Sequence, residues 1–245
     1  MLVALAAAQA APQGEALRRE EPALKHCTSL VRSKPEQALS HAEDWRMKGG
    51  GIAARQCIGL AYVALERWQP AASVFEQAAR EADAAKDSRR SDLWVQSGNA
   101  WLAADVGDKA RKAFDAALAA GQLTAQLRGE VHLDRARAGV AMNDLPGARA
   151  DIQKGLELVP ADPMAWYLSA ALALREGNMA RAGGDIAKAV QLAPDDANVL
   201  LQAGTILGTS GDIAAARAYY ARAVKAGPNS DAGRSAKAAL EAQAD

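Results

Sequence analysis

The chain has 245 residues, half of them hydrophobic but only 4% aromatic, and its 29 basic residues balance its 29 acidic ones. That neutrality removes the simplest argument for a nucleic-acid or anionic-lipid partner, because phosphate binding draws on a basic surplus. Alanine-rich, aromatic-poor composition favours helix, nothing alternates Val, Ile or Thr between turns as a strand would, and no stretch reaches the ~18 apolar residues of a membrane span. The sequence therefore predicts an all-α protein without a membrane-spanning segment.

In chain order, residues 1–10 read as a signal peptide: the run from Leu2 to Ala8 is apolar and closes on Ala8-Gln9-Ala10, a small-residue cleavage pattern. A basic leading segment is missing, so either the signal is atypical or the true start lies upstream of Met1. The alternative is an alanine-rich first helix. Cys27 stands too far in for a lipid anchor. With Cys57 it makes an even pair, which fits one disulfide in an exported protein or two buried thiols in a reducing compartment.

Prolines then mark a period. Pro160, Pro194 and Pro228 fall 34 residues apart, and with proline as position 32 three repeats span 129–162, 163–196 and 197–230. Upstream, 52–85 and 91–124 fall into the same register, and 19–51 reads as a degenerate first unit closed by Gly49–Gly51. Position 8 carries Gly59 and Gly98; position 24 carries Phe75, Phe114, Ile152, Ile186 and Tyr220; positions 20 and 27 stay small, as in Ala110 and Ala117. Small residues return where two helices approach closely, and a large apolar residue returns where one plugs the gap. Short inserts after residues 85 and 124 interrupt the step, so the stack is expected to bend or lengthen a helix there. Arg135 takes an otherwise apolar slot and His132 an aromatic one; that helix packs loosely or pairs Arg135 with a neighbour. Asp162, Asp195 and Asn229 read as helix N-caps, and 231–245 as a capping helix.

This pattern resembles the tetratricopeptide repeat (TPR), whose 34-residue signature runs W-x2-L-G-x2-Y, then A-x3-F, then P. Trp94, Gly98, Trp101, Ala110 and Phe114 carry the likeness most fully. The resemblance implies a right-handed α-solenoid of about five to six helix-turn-helix repeats, with Trp94, Trp101 and Trp166 in the core. It also implies a non-enzymatic scaffold that binds a protein or peptide partner on the concave face of its first helices, with no cofactor.

Residues of catalytic or metal-binding type are sparse. His26, His41 and His132 stand in no H-E-x-x-H and beside no spaced cysteine pair. There is no G-x-S-x-G elbow and no phosphate-binding loop. Gly49–Ala54 formally fits G-x-G-x-x-A but lacks a preceding strand, and reads as a loop between helices. On the face that the family uses for ligands, Asn99, Arg137, Tyr167, Arg175 and Asn198 are the partner-binding candidates. Asparagine bonds both peptide groups, arginine clamps a carboxylate and tyrosine gives a large rigid contact. No lysine stands at position 5, which speaks against a chaperone-tail clamp and for a longer, more apolar peptide or helix. Cys27 and Cys57 fall on the first helices of adjacent units, within reach of a disulfide. Three readings follow: an exported, periplasmic or secreted scaffold; a cytoplasmic adaptor with reduced cysteines; and an enzyme with a site in the groove.

Overall fold

A computed structural model describes residues 13–242, with side chains from residue 21 onward. The export-signal reading of residues 1–10 lies outside the described residues. Among them are thirteen helices and no strand. They form two compact units that divide between Gln122 and Leu123. The first holds α1 (Gln13–Ser33), α2 (Pro35–Met47), α3 (Gly51–Ala64), α4 (Trp68–Ala85), α5 (Arg90–Ala103) and α6 (Gly107–Ala120). The second holds α7 (Ala125–Ala141), α8 (Leu145–Leu158), α9 (Pro163–Arg175), α10 (Met179–Leu192), α11 (Ala197–Thr209), α12 (Ile213–Ala226) and α13 (Asp231–Ala242). Within each unit every helix packs on the next, and α13 closes on both α11 and α12.

The core is mostly alanine, with one large side chain plugging each pair from α3 to α12. Phe75, Phe114 and Ile152 are almost wholly buried, as are Ile186 and Tyr220. Their partner one helix earlier is small. A Cβ on Gly59, Gly98 or Gly204 would land inside the ring of Phe75, Phe114 or Tyr220 respectively. In the two remaining pairs the partners are Ala136 with Ile152 and Ala170 with Ile186. Glycine thus meets a ring and alanine meets isoleucine, so the summed volume stays nearly constant, as a close-packed interior demands.

The turns inside the five helix pairs from α3 to α12 share one conformation. Glu66, Asp105, Asn143, Gly177 and Gly211 all have positive φ, between 55° and 91°. The backbone therefore takes the left-handed turn even where the residue is not glycine. The next residue differs between units. In the second, Asp144, Asn178 and Asp212 each accept a backbone N–H into the first turn of α8, α10 or α12. In the first, Arg67 and Val106 occupy that place and make no such bond. All of α7 to α12 are capped by a side chain, and none of α2 to α6 is.

The structure revises several local expectations. The cap of α11 is Asp196, which accepts from the N–H groups of Asn198 and Val199; Asp195 is one residue too early. Ser230 Oγ, not Asn229, accepts from Gly233 N at the start of α13. Gly51–Ala54 opens α3, leaving only Lys48–Gly50 as the turn. The inserts lengthen helices: α4 runs 18 residues and α7 17, where the other helices from α3 to α12 run 13 or 14. Lys86, at φ 52°, ends α4 in the left-handed cap. Asp87 then accepts from both the backbone and the guanidinium of Arg89. That bond holds the Asp87 carboxyl below 3.8 despite its burial.

The pairing of small with large makes a specific prediction. Gly98→Ala should destabilise the chain despite the better helix propensity of alanine, because its methyl has no room beside Phe114. Combined with Phe114→Ile, the damage should be less than the sum, by about 1–2 kcal/mol of coupling in urea denaturation. Additive losses would mean that the ring moves aside.

Candidate functional site

The second unit carries a trough along α7 and α9. Its first hollow, of about 580 Å³, is lined by Glu130, Leu133, Asp134 and Arg137 of α7, by Asp162, Met164, Tyr167 and Leu168, and by Asn198 at the start of α11. A second hollow of about 320 Å³ is lined by Ala136, Arg137 and Val140 of α7, Ile152 of α8, and Leu168, Ala171, Leu172 and Arg175 of α9. Arg137 and Leu168 belong to both, so the hollows are continuous. The early residues of α7 face the early residues of α9, and the late ones face the late ones, so the two helices lie side by side in the same direction.

Of the five candidates, Arg137, Tyr167 and Asn198 therefore come together in one hollow and Arg175 stands in the next. Asn99 is exposed on α5, in the other unit. Arg137 donates to Asp134 Oδ1 at 3.0 Å. Arg175 donates to the carbonyl of Val140 and to Asn143 Oδ1. It thereby braces the turn between α7 and α8, and it has no carboxylate partner among the described residues. Burial, and next the Asp196 carboxylate, hold the Tyr167 phenol above 10.0, with Arg137 opposing. It stays a neutral hydrogen-bond donor at ordinary pH. Asp134, Leu168 and Leu172 were not singled out in the sequence. Asp134 and Leu168 stand 34 residues apart, at a repeat position beside the ones usually assigned to the face, and that spacing was the available signal.

Residues 197–230 match the family model described as tetratricopeptide repeat. Among solved structures, Pseudomonas aeruginosa PilF is 17% identical with a TM-score of 0.69, covering 93% of this chain and 99% of that one. PilW, whose structure is titled a widely conserved type IV pilus biogenesis factor, is 19% identical with a TM-score of 0.72, covering 89% and 97%. YrrB, a TPR protein, is 17% identical with a TM-score of 0.54, covering 80% and 96%. No curated protein matches in sequence. The fold is that of TPR proteins. It makes the chain a helical-repeat scaffold of the kind typical of protein-interaction modules.

Beneath the trough, the TPR packing holds polar groups that are fully used. Asp151, 8% exposed, accepts from Arg135 Nε at 2.9 Å, from Arg135 Nη2 at 2.5 Å and contacts His132 Nδ1 at 2.9 Å. Of the two expectations for Arg135, pairing is the one observed. One repeat later, buried Ser169 donates to Asp185 at 2.6 Å and accepts from Arg149 at 2.9 Å. Arg149 also pairs with Glu176. These bonds tie α7 to α8, and α9 to both α8 and α10. Trp94 and Trp101 are core residues whose indole N–H groups reach Asp83 and Glu76. Trp166 is half-buried and donates to the carbonyl of Pro160. No group of three or more His, Cys, Asp or Glu among the described residues is placed to hold a metal ion. None of the helices among those residues is long and apolar enough to cross a membrane.

The trough contains one carboxyl in an adverse setting. Burial lifts Asp134 above 3.8, the pair with Arg137 counteracts it, and Glu130 adds to the lift. A raised carboxyl means that the folded state binds the proton more tightly, so its contribution to stability falls as pH rises from 3.8 through the raised value. The stability of wild type relative to Asp134→Asn should therefore decline across that window and level off above it. Thermal unfolding of both proteins over a pH series measures this; a difference independent of pH would refute the assignment.

Proposed function

We propose that the chain is a non-enzymatic scaffold that binds a segment of a protein partner along the trough, with Arg137, Tyr167 and Asn198 as central contacts and Arg175 at one end. The observation that carries this reading is the convergence of those side chains, from three first helices of successive pairs, on one continuous apolar-floored depression. Asn99 offers a separate contact in the other unit. YrrB, whose title describes an unusual peptide-binding site, is a precedent for ligand binding on this fold. The non-enzymatic reading draws on Asp151 and Ser169, the buried polar residues of the unit that carries the trough, which are committed to helix pairing.

The compartment belongs to the same proposal. Cys27 on α1 and Cys57 on α3 are fully buried, with Cα atoms 6.1 Å apart, a spacing that a disulfide spans. We read them as bonded and the protein as exported, to the periplasm or beyond. A bond across 30 residues stabilises by about 3–4 kcal/mol in the chain-entropy model, in the unit whose helices lack side-chain caps. The second reading, a cytoplasmic adaptor, keeps both thiols free. Alkylation of the unfolded chain in denaturant without reductant, followed by mass measurement on protein from its native cell, should find neither cysteine modified; two labelled cysteines would select the cytoplasmic adaptor.

The binding face is tested by in-cell photo-crosslinking from position 167, with Glu157, exposed on α8, as control. One dominant adduct from 167 alone is expected, and its mass identifies the partner. Equal smears from both positions, or none, would remove the trough as the interface.

A further inference from the structure

The trough is polar at both ends, with opposite signs, and mostly apolar between, where Arg137 reaches both hollows while paired with Asp134. At the end where α7 and α9 begin, Glu130, Asp134 and Asp162 line the wall. Only Arg137, already paired with Asp134, offsets them. Glu130 takes a hydrogen bond from Gln126 and pairs with no cation among the described residues, and Asp162 serves as the cap of α9. At the end where α9 stops, Arg175 stands without a carboxylate partner among the described residues. Between them the second hollow presents Val140, Ile152, Leu168, Ala171 and Leu172, and its about 320 Å³ accommodates a leucine- or phenylalanine-sized side chain. From Asp162 to Leu172 the helix advances roughly 15 Å, about four or five residues of extended peptide.

We infer that the trough selects a partner segment carrying a large apolar residue next to an acidic one, with a basic residue about four or five positions from the apolar one. The apolar side chain fills the second hollow, the acid meets the free N–H groups of Arg175, and the base lies among Glu130, Asp134 and Asp162. Charge complementarity of this kind fixes register and excludes partners of the wrong sign more than it adds affinity. This deepens the scaffold reading above and rests on it. The same charges also offset the dipoles of α7 and α9, so the decisive readout is partner preference and not stability.

The test is selection of a displayed random heptapeptide library on the full chain, followed by fluorescence anisotropy with synthetic copies of the enriched peptides. Enrichment of the base–spacer–apolar–acid order is expected. Arg175→Glu should weaken the winning peptide about tenfold, and replacing the acid of that peptide with lysine should restore binding to this variant but not to wild type. Because Arg175 also braces a turn, Glu130→Arg serves as the second variant; it should weaken the same peptide and favour one with glutamate in place of its base. Circular dichroism confirms that both variants are folded. Enriched peptides without the charge order, no enrichment, or unchanged binding by both variants would overturn the inference. A surviving crosslink from position 167 would in each of those cases leave the scaffold reading standing, and loss of that crosslink would remove both.

Discussion

Close approach of the two helices in each pair is the constraint on which the rest of the molecule depends. A core built of alanine gives little apolar area per residue, so the helices must come near enough for one side chain to fill the gap between them. Gly98 under Phe114 and Ala136 beside Ile152 are two solutions of equal bulk. The ring needs glycine; the branched chain tolerates a methyl. Once the pair is closed, its next neighbour has one orientation in which to stack, and the first helices of successive pairs present a common face. The trough between α7 and α9 is a product of that packing.

The two units reach stability by different routes. From α7 onward, aspartate, asparagine or threonine satisfies a backbone N–H at the start of each helix up to α12. Such a cap is worth about 1 kcal/mol, and together these form a substantial part of a domain's net stability. Helices α2 to α6 lack it, and two of them begin after arginine. The paired cysteines stand in this same unit, in a cluster with Ala42, Ile58 and the partly buried Leu24, Trp45 and Tyr62. A covalent link suits a region whose helices lack local stop-start signals.

The helical fold was legible in the sequence because residue size at a fixed spacing is a packing signal: prolines 34 apart, and an aromatic 16 residues after a glycine in Gly59–Phe75 and Gly98–Phe114. Caps were legible only to within a residue. Asp195 and Asp196 are equivalent as text, and backbone geometry alone decides that the second accepts the bonds. The trough was half legible. Tyr167 and Arg137 lie at positions with a known ligand-facing habit, whereas Asp134 and Leu168 occupy a neighbouring position. Its charge order was not legible at all, since Glu130, Asp162 and Arg175 become one surface only when the two helices lie side by side.

The disulfide proposed between α1 and α3 also has a mechanical consequence. It encloses α2 in the covalent loop. With the bond formed, tension entering at the N-terminal end runs through the sulfurs into α3 and leaves α2 slack. An uncapped helix that would otherwise take the load as soon as α1 came away is thereby shielded from it.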